Sequence, residues 1–124
     1  NIMNVISLMT IKNKTEHLSS ALTLREAESR LRGGALPVVG ESGMYLGIVD
    51  RRLLEYELLS GADENTVLAE IADDFPRPRA GAATDFSDVS AIVAEYGFVP
   101  VTDDRCAYIG AVIDGRRRSS TGAA

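Results

Sequence analysis

Leu36-Pro37-Val38-Val39 with Met44-Tyr45-Leu46-Gly47-Ile48-Val49, and Phe98-Val99-Pro100-Val101 with Tyr108-Ile109-Gly110-Ala111-Val112-Ile113, decide the reading of this chain. Pro37 and Pro100, Val38 and Val101, Tyr45 and Tyr108, Gly47 and Gly110, and Val49 and Val112 all stand 63 positions apart. Five matches at one offset without a gap mark an internal repeat. Within each copy two runs of strand formers flank a turn, Gly40-Glu41-Ser42-Gly43 in the first and Thr102-Asp103-Asp104-Arg105 in the second, which predicts two β-hairpins. A proline cannot donate to a ladder, so Pro37 and Pro100 belong near a strand's start or edge.

A helix is predicted ahead of each hairpin. Thr23 and Glu26 form a capping-box pattern, Leu24, Ala27 and Leu31 share one face, and Gly33-Gly34 is expected to end the helix. The equivalent helix begins near Ser87-Asp88, aligns Val89, Ile92, Val93 and Tyr96, and stops at Gly97, 63 positions after Gly34. Leu53, Leu54, Leu58 and Leu59 predict a third helix from Arg51 to Ser60, and a further one is expected around Thr66 to Ala72. Val67, Leu68 and Ile71 echo Val5, Leu8 and Met9 at an offset that slips to about 62. The expectation is an α+β fold of two β-α-β-β-α repeats, at 3–61 and 62–118, packed about a pseudo-twofold axis with a cleft between them. Neither half buries enough apolar surface to stand alone. Residues 119–124 read as a flexible tail, and a chain starting at Asn1 reads as a piece of something longer.

The order, spacing and duplication of these pieces resemble the cystathionine-beta-synthase (CBS) motif. Val5 to Thr10, Leu24 to Ala27, Leu36 to Val39 and Leu46 to Leu54 make one copy; Val67 to Ile71, Val89 to Ala94, Phe98 to Asp104 and Tyr108 to Val112 make the other. The resemblance implies a Bateman module that binds an adenosine nucleotide between its repeats, pairs into a homodimer, and modulates an attached domain or a larger effector protein. It implies no catalytic cofactor. Carried over residue by residue, the ligand-binding positions are Thr10, Ile11, Ala35, Leu36, Pro37, Asp50 and Arg51, with Phe98, Val99, Pro100, Asp114 and Arg116 in the second copy. Asp73 and Asp74 occupy the second lead-in and sit badly beside phosphates.

In nucleotide-binding members a Ser/Thr-x-x-Asp pattern follows the second hairpin strand, and here it reads Asp50 with Leu53 and Ile113 with Arg116. Leu53 accepts no hydrogen bond and Arg116 only donates. Asp50 and Asp114 remain as carboxylates at the strand exits, with two readings each: ribose acceptor, or N-cap of the next helix. Arg51, Arg52 and Arg116-Arg117-Arg118 read as phosphate partners or as solvated charge. The alternative to ligand sensing is a ligand-free CBS pair that dimerises or docks through Leu54 and Leu58.

The remaining composition narrows the function classes. A net charge of −5 gives nucleic acid no general attraction. Cys106 is the only cysteine, expected as a turn residue, which excludes an internal disulfide and fits a cytoplasmic location. No apolar run suffices to cross a membrane. His17 is the only histidine and no nucleophile motif or phosphate loop occurs, so neither catalysis nor a metal site is expected. Two ferredoxin-like domains would also fill the length, but each needs a further strand after the Arg51 to Ser60 helix.

Overall fold

The computed structural model describes residues 3–115. Its elements are α1 (Val5–Leu8), β1 (Thr10–Ile11), β2 (Leu18–Ser19), α2 (Leu24–Arg30), β3 (Leu36–Val39), β4 (Tyr45–Val49), α3 (Arg51–Leu59), β5 (Ala80–Gly81), α4 (Ser90–Tyr96), β6 (Phe98–Thr102) and β7 (Tyr108–Ile113). Short 3-10 helices cover Lys12–Lys14, Leu68–Asp74 and Phe86–Asp88. Helices and mixed sheets make an α+β fold, and the predicted order recurs as β2-α2-β3-β4-α3 and β5-α4-β6-β7. The helix expected after β7, with Arg116 and the tail, lies outside the described residues.

Two compact units result: residues 16–77, and residues 3–15 together with 78–115. They divide the chain differently from the sequence repeats, because each repeat's opening segment packs in the unit of the other repeat's hairpin. In the first unit β3 lies between β2, parallel, and β4, antiparallel. In the second, β6 lies between β5, parallel, and β7, antiparallel, and β1 adds antiparallel to β7. The equivalent of β1 in the first unit is Phe75-Pro76-Arg77: the Ile48 N–H donates to the Pro76 carbonyl at 2.9 Å and Arg77 Nε to the Leu46 carbonyl at 3.0 Å.

The clips that hold the exchanged segments also repeat. Val5 and Ile6 donate backbone N–H groups to the carbonyls of Thr84 and Ala82, as Leu68 and Ala69 do to Leu22 and Ser20. Both hairpins carry the same bulge, with Val38 opposite Gly47 but Val39 opposite Tyr45, and Val101 opposite Gly110 but Thr102 opposite Tyr108. A bulge at the same place in both copies is a built feature that bends and twists the strand. Pro37 and Pro100 each stand one residue before the parallel neighbour joins, at Val38 and Val101, where a missing donor is tolerated.

Each unit has its own apolar core. Leu18, Leu24, Ala27, Leu31, Val38, Val49, Leu54, Leu68 and Phe75 fill one; Val5, Ala80, Val89, Val93, Val99, Val101 and Val112 fill the other. Each fully buried leucine contributes about 1.5–3 kcal/mol over its exposed state.

Four local expectations need correcting, the first being the helix expected from Ser87-Asp88: α4 starts at Ser90, because Phe86–Asp88 form a separate 3-10 helix in which the Asp88 N–H donates to the Asp85 carbonyl. Helix α2 keeps its Thr23–Glu26 capping box but ends at Arg30, before Gly33-Gly34: Leu31 turns extended while its side chain stays buried, and Arg51 Nη2 donates to its carbonyl at 3.4 Å. The helix expected from Thr66 is a 3-10 helix starting at Leu68, because Thr66 closes a turn onto Asp63 and gives its carbonyl to the Leu24 N–H. Leu54, proposed for a docking face, is 1% exposed in the core; on α3 the exposed large hydrophobic residues are Tyr56, Leu58 and Leu59.

Candidate functional site

The open end of each hairpin gathers part of the carried-over set, Ala35, Leu36, Asp50 and Arg51 at one and Phe98, Val99 and Asp114 at the other. Leu36 pairs with Val49, so Ala35 and Leu36 flank Asp50 and Arg51 where β4 passes into α3. Phe98 pairs with Ile113, and the Asp114 N–H donates to the Gly97 carbonyl at 2.9 Å, placing Phe98, Val99 and Pro100 beside the exit of β7. The left-handed Gly97, at φ 87°, turns α4 sharply into β6.

Asp50 is half-buried and its Oδ1 accepts the Leu53 N–H at 2.9 Å, so it caps α3. This is the capping alternative realised; a carboxylate has more lone pairs than one N–H uses. The neighbouring Arg51 is drawn back towards the end of α2 through the Leu31 carbonyl.

Thr10 and Ile11 are not in the unit of Ala35, Leu36 and Pro37. They pair with Ala111 and Gly110, which puts them in the sheet of Phe98, Val99 and Pro100. Asp73 and Asp74 fall in the unit of β3 and β4 for the same reason. Grouping by repeat in the sequence therefore pairs each lead-in with the wrong hairpin.

The second unit also carries a shallow depression of about 690 Å³ at the turn end of β6 and β7, lined by Arg79, Thr84, Thr102, Asp103 and Ile109 among others. Arg79 Nη1 donates to the buried Thr102 hydroxyl at 2.9 Å. Sequence reasoning passed these residues over, although the signal was present: Thr102 puts a hydroxyl where the first copy has Val39. Asp103 accepts the N–H groups of Ala107 and Arg105, which hold its carboxyl below the usual range. Cys106 occupies this turn at φ 66°. Half-buried His17 lies in the other unit.

Among the described residues no three His, Cys, Asp or Glu side chains cluster as a metal ion would require. No helix among them is long and apolar enough to cross a membrane.

No family model and no curated protein matches the chain. Solved structures do. CbpB in complex with c-di-AMP superposes with a TM-score of 0.74 at 11% identity, over 98% of this chain and 86% of that one. A CBS domain pair/ACT domain protein from Thermotoga maritima gives 0.70 at 19%, over 98% and 100%. The fold is that of a CBS domain pair. CBSX2 in complex with AMP shares this CBS fold with a TM-score of 0.70 at 20% identity, over 97% of each chain. At identities this low the shared property is the fold.

Proposed function

We propose that this chain is a regulatory ligand-sensing module of the cytoplasm that binds an adenosine-type nucleotide, performs no catalysis, forms a homodimer, and modulates an attached or partner protein. The observation that carries the reading is the open hairpin end with its exit carboxylate at Asp50, on a fold also found in CbpB with c-di-AMP and CBSX2 with AMP. In this reading the motifs are 3–61 and 62–118 along the sequence, with each lead-in serving the hairpin of the other copy. The backbone of Ala35, Leu36 and Pro37 and of Phe98, Val99 and Pro100 meets the base, and Asp50 and Asp114 meet ribose hydroxyls. Arg51 supplies charge for a phosphate on leaving the Leu31 carbonyl.

Nucleotide at about 100 times its dissociation constant stabilises a folded protein by roughly 2.7 kcal/mol. The expected result is a raised unfolding midpoint with AMP or c-di-AMP. Asp50→Ala removes the exit carboxylate at the cost of one N-cap, about 1 kcal/mol, and is expected to leave the protein folded without the ligand-induced shift. A shift that survives this substitution leaves Asp50 as a cap alone.

One observation favours a docking module instead: α3 exposes Tyr56 and Leu59, at 65% and 88%, while Leu53 stands where a ribose acceptor is expected. Unfolding midpoints that no nucleotide moves decide for docking.

A further inference from the structure

Thr102 ends β6 with a side chain that is 1% exposed, at the position where the first copy has Val39. A buried hydroxyl is destabilising without a partner, and this one accepts a hydrogen bond from Arg79 Nη1 at 2.9 Å. The first copy pairs the same strands in the same register with His17 and Val39 at the matching places, so the fold itself does not require the pair. Both residues line the depression of about 690 Å³, together with Thr84, Asp103, Asp104 and the apolar surfaces of Ala82 and Ile109. Its charges do not neutralise one another: among the described residues neither Arg79 nor Asp103 nor Asp104 makes an ion pair. Asp103 gives Oδ1 to the N–H groups of Arg105 and Ala107 and keeps Oδ2, and the Thr84 hydroxyl accepts the Gly81 N–H while retaining its own proton to donate. A phosphate there would be repelled by two carboxylates, and none of the described lining residues is aromatic, as stacking a base would need.

We propose that this depression is a second ligand site, at the opposite end of the hairpin from Phe98 and Asp114, and that it takes a free aliphatic amino acid. The ligand's carboxylate meets the remaining N–H groups of Arg79 and the Thr84 hydroxyl, its ammonium meets Asp103 Oδ2 and the Asp104 carboxylate, and its side chain covers Ala82 and Ile109. The Thr102 bond holds the guanidinium fork in place for that carboxylate. Segment 79–84 also supplies the Ala82 and Thr84 carbonyls that receive the Ile6 and Val5 N–H groups, so an occupied site steadies the clip on the exchanged lead-in.

Titration of the whole chain with L-leucine, followed through amide and guanidinium NMR signals, tests this directly. Saturable shifts are expected at Arg79 Nε, Thr102 and Ile109, with Leu36 unmoved. Isocaproate, which lacks the ammonium, and isoamylamine, which lacks the carboxylate, are each expected to bind about tenfold more weakly, the loss of one charged hydrogen bond. The double variant Arg79→Leu/Thr102→Val takes the valine of the first copy and leaves no hydroxyl unpartnered, so it is expected to fold and to lose the shifts. Asp104→Asn, at an exposed turn position, is expected to weaken leucine binding and to leave isocaproate binding unchanged. Shifts that do not saturate, equal affinity for leucine and isocaproate, an undiminished response in the double variant, or an unchanged leucine-to-isocaproate ratio in Asp104→Asn overturns the site.

Discussion

Gly47 and Gly110 match across the repeat because a backbone runs against each. A Cβ on Gly47 would stand 2.6 Å from the Phe75 Cβ and 2.7 Å from the Pro76 carbonyl oxygen, and at Gly110 it would overlap the Thr10 carbonyl. Gly47 adds a φ of 133°, a backbone region that side chains avoid. Gly47→Ala therefore combines strain of about 1–3 kcal/mol with displacement of the exchanged segment. A lower denaturation midpoint should report it, and an unchanged midpoint would mean that Phe75-Pro76 is not held against β4. Thr23 is a milder case: its hydroxyl accepts the Glu26 N–H while the Glu26 carboxyl accepts the Thr23 N–H, and the Thr23 bonds hold Glu26 below its ordinary range. Thr23→Ala should cost about 1 kcal/mol by chemical denaturation. Glu26, being lowered on folding, stabilises above its unfolded value, and that support is lost as pH falls through its folded value.

Among the elements, α3 joins the core to the open hairpin end. Leu54 is the residue to remove, since it packs in the cluster with Leu24, Val49 and Leu68, and Leu54→Ala should cost about 2–5 kcal/mol. Leu59→Ala, at a position 88% exposed, should leave monomer stability within about 0.5 kcal/mol, so any loss of assembly in that variant belongs to an interface. The strands, the hairpins, the span of α3, the start of α2 and the end of α4 were legible because period and capping are local: Thr23 with Glu26, and the stripe ending at Gly97, depend on near neighbours. The end of α2 was not legible, because the group meeting the Leu31 carbonyl comes from Arg51, twenty residues away. The 3-10 helix at Leu68 escaped for the same reason, its start being set by the Leu24 N–H. The grouping of Thr10 and Ile11 with Ala35, Leu36 and Pro37 was not legible either, because the partners of Thr10 and Ile11 in β7 lie about a hundred residues away.

For the whole molecule, that grouping is the main lesson: period and propensity reveal that the chain repeats, not that the repeats exchange their opening segments. A cut at the sequence boundary would separate Leu68, Ala72 and Phe75 from the core of residues 16–77. The fragment 16–77 should therefore show more cooperative thermal unfolding by circular dichroism than the fragment 3–61, despite their similar lengths; indistinguishable curves would deny the exchange its energetic role. The division also sets an order of events during synthesis. Residues 16–77 are contiguous and can assemble once that stretch leaves the ribosome, with only short loops to close. The unit containing Val5 must wait for β7, more than a hundred residues later, and until then the nascent chain carries an apolar leader with no sheet to receive it.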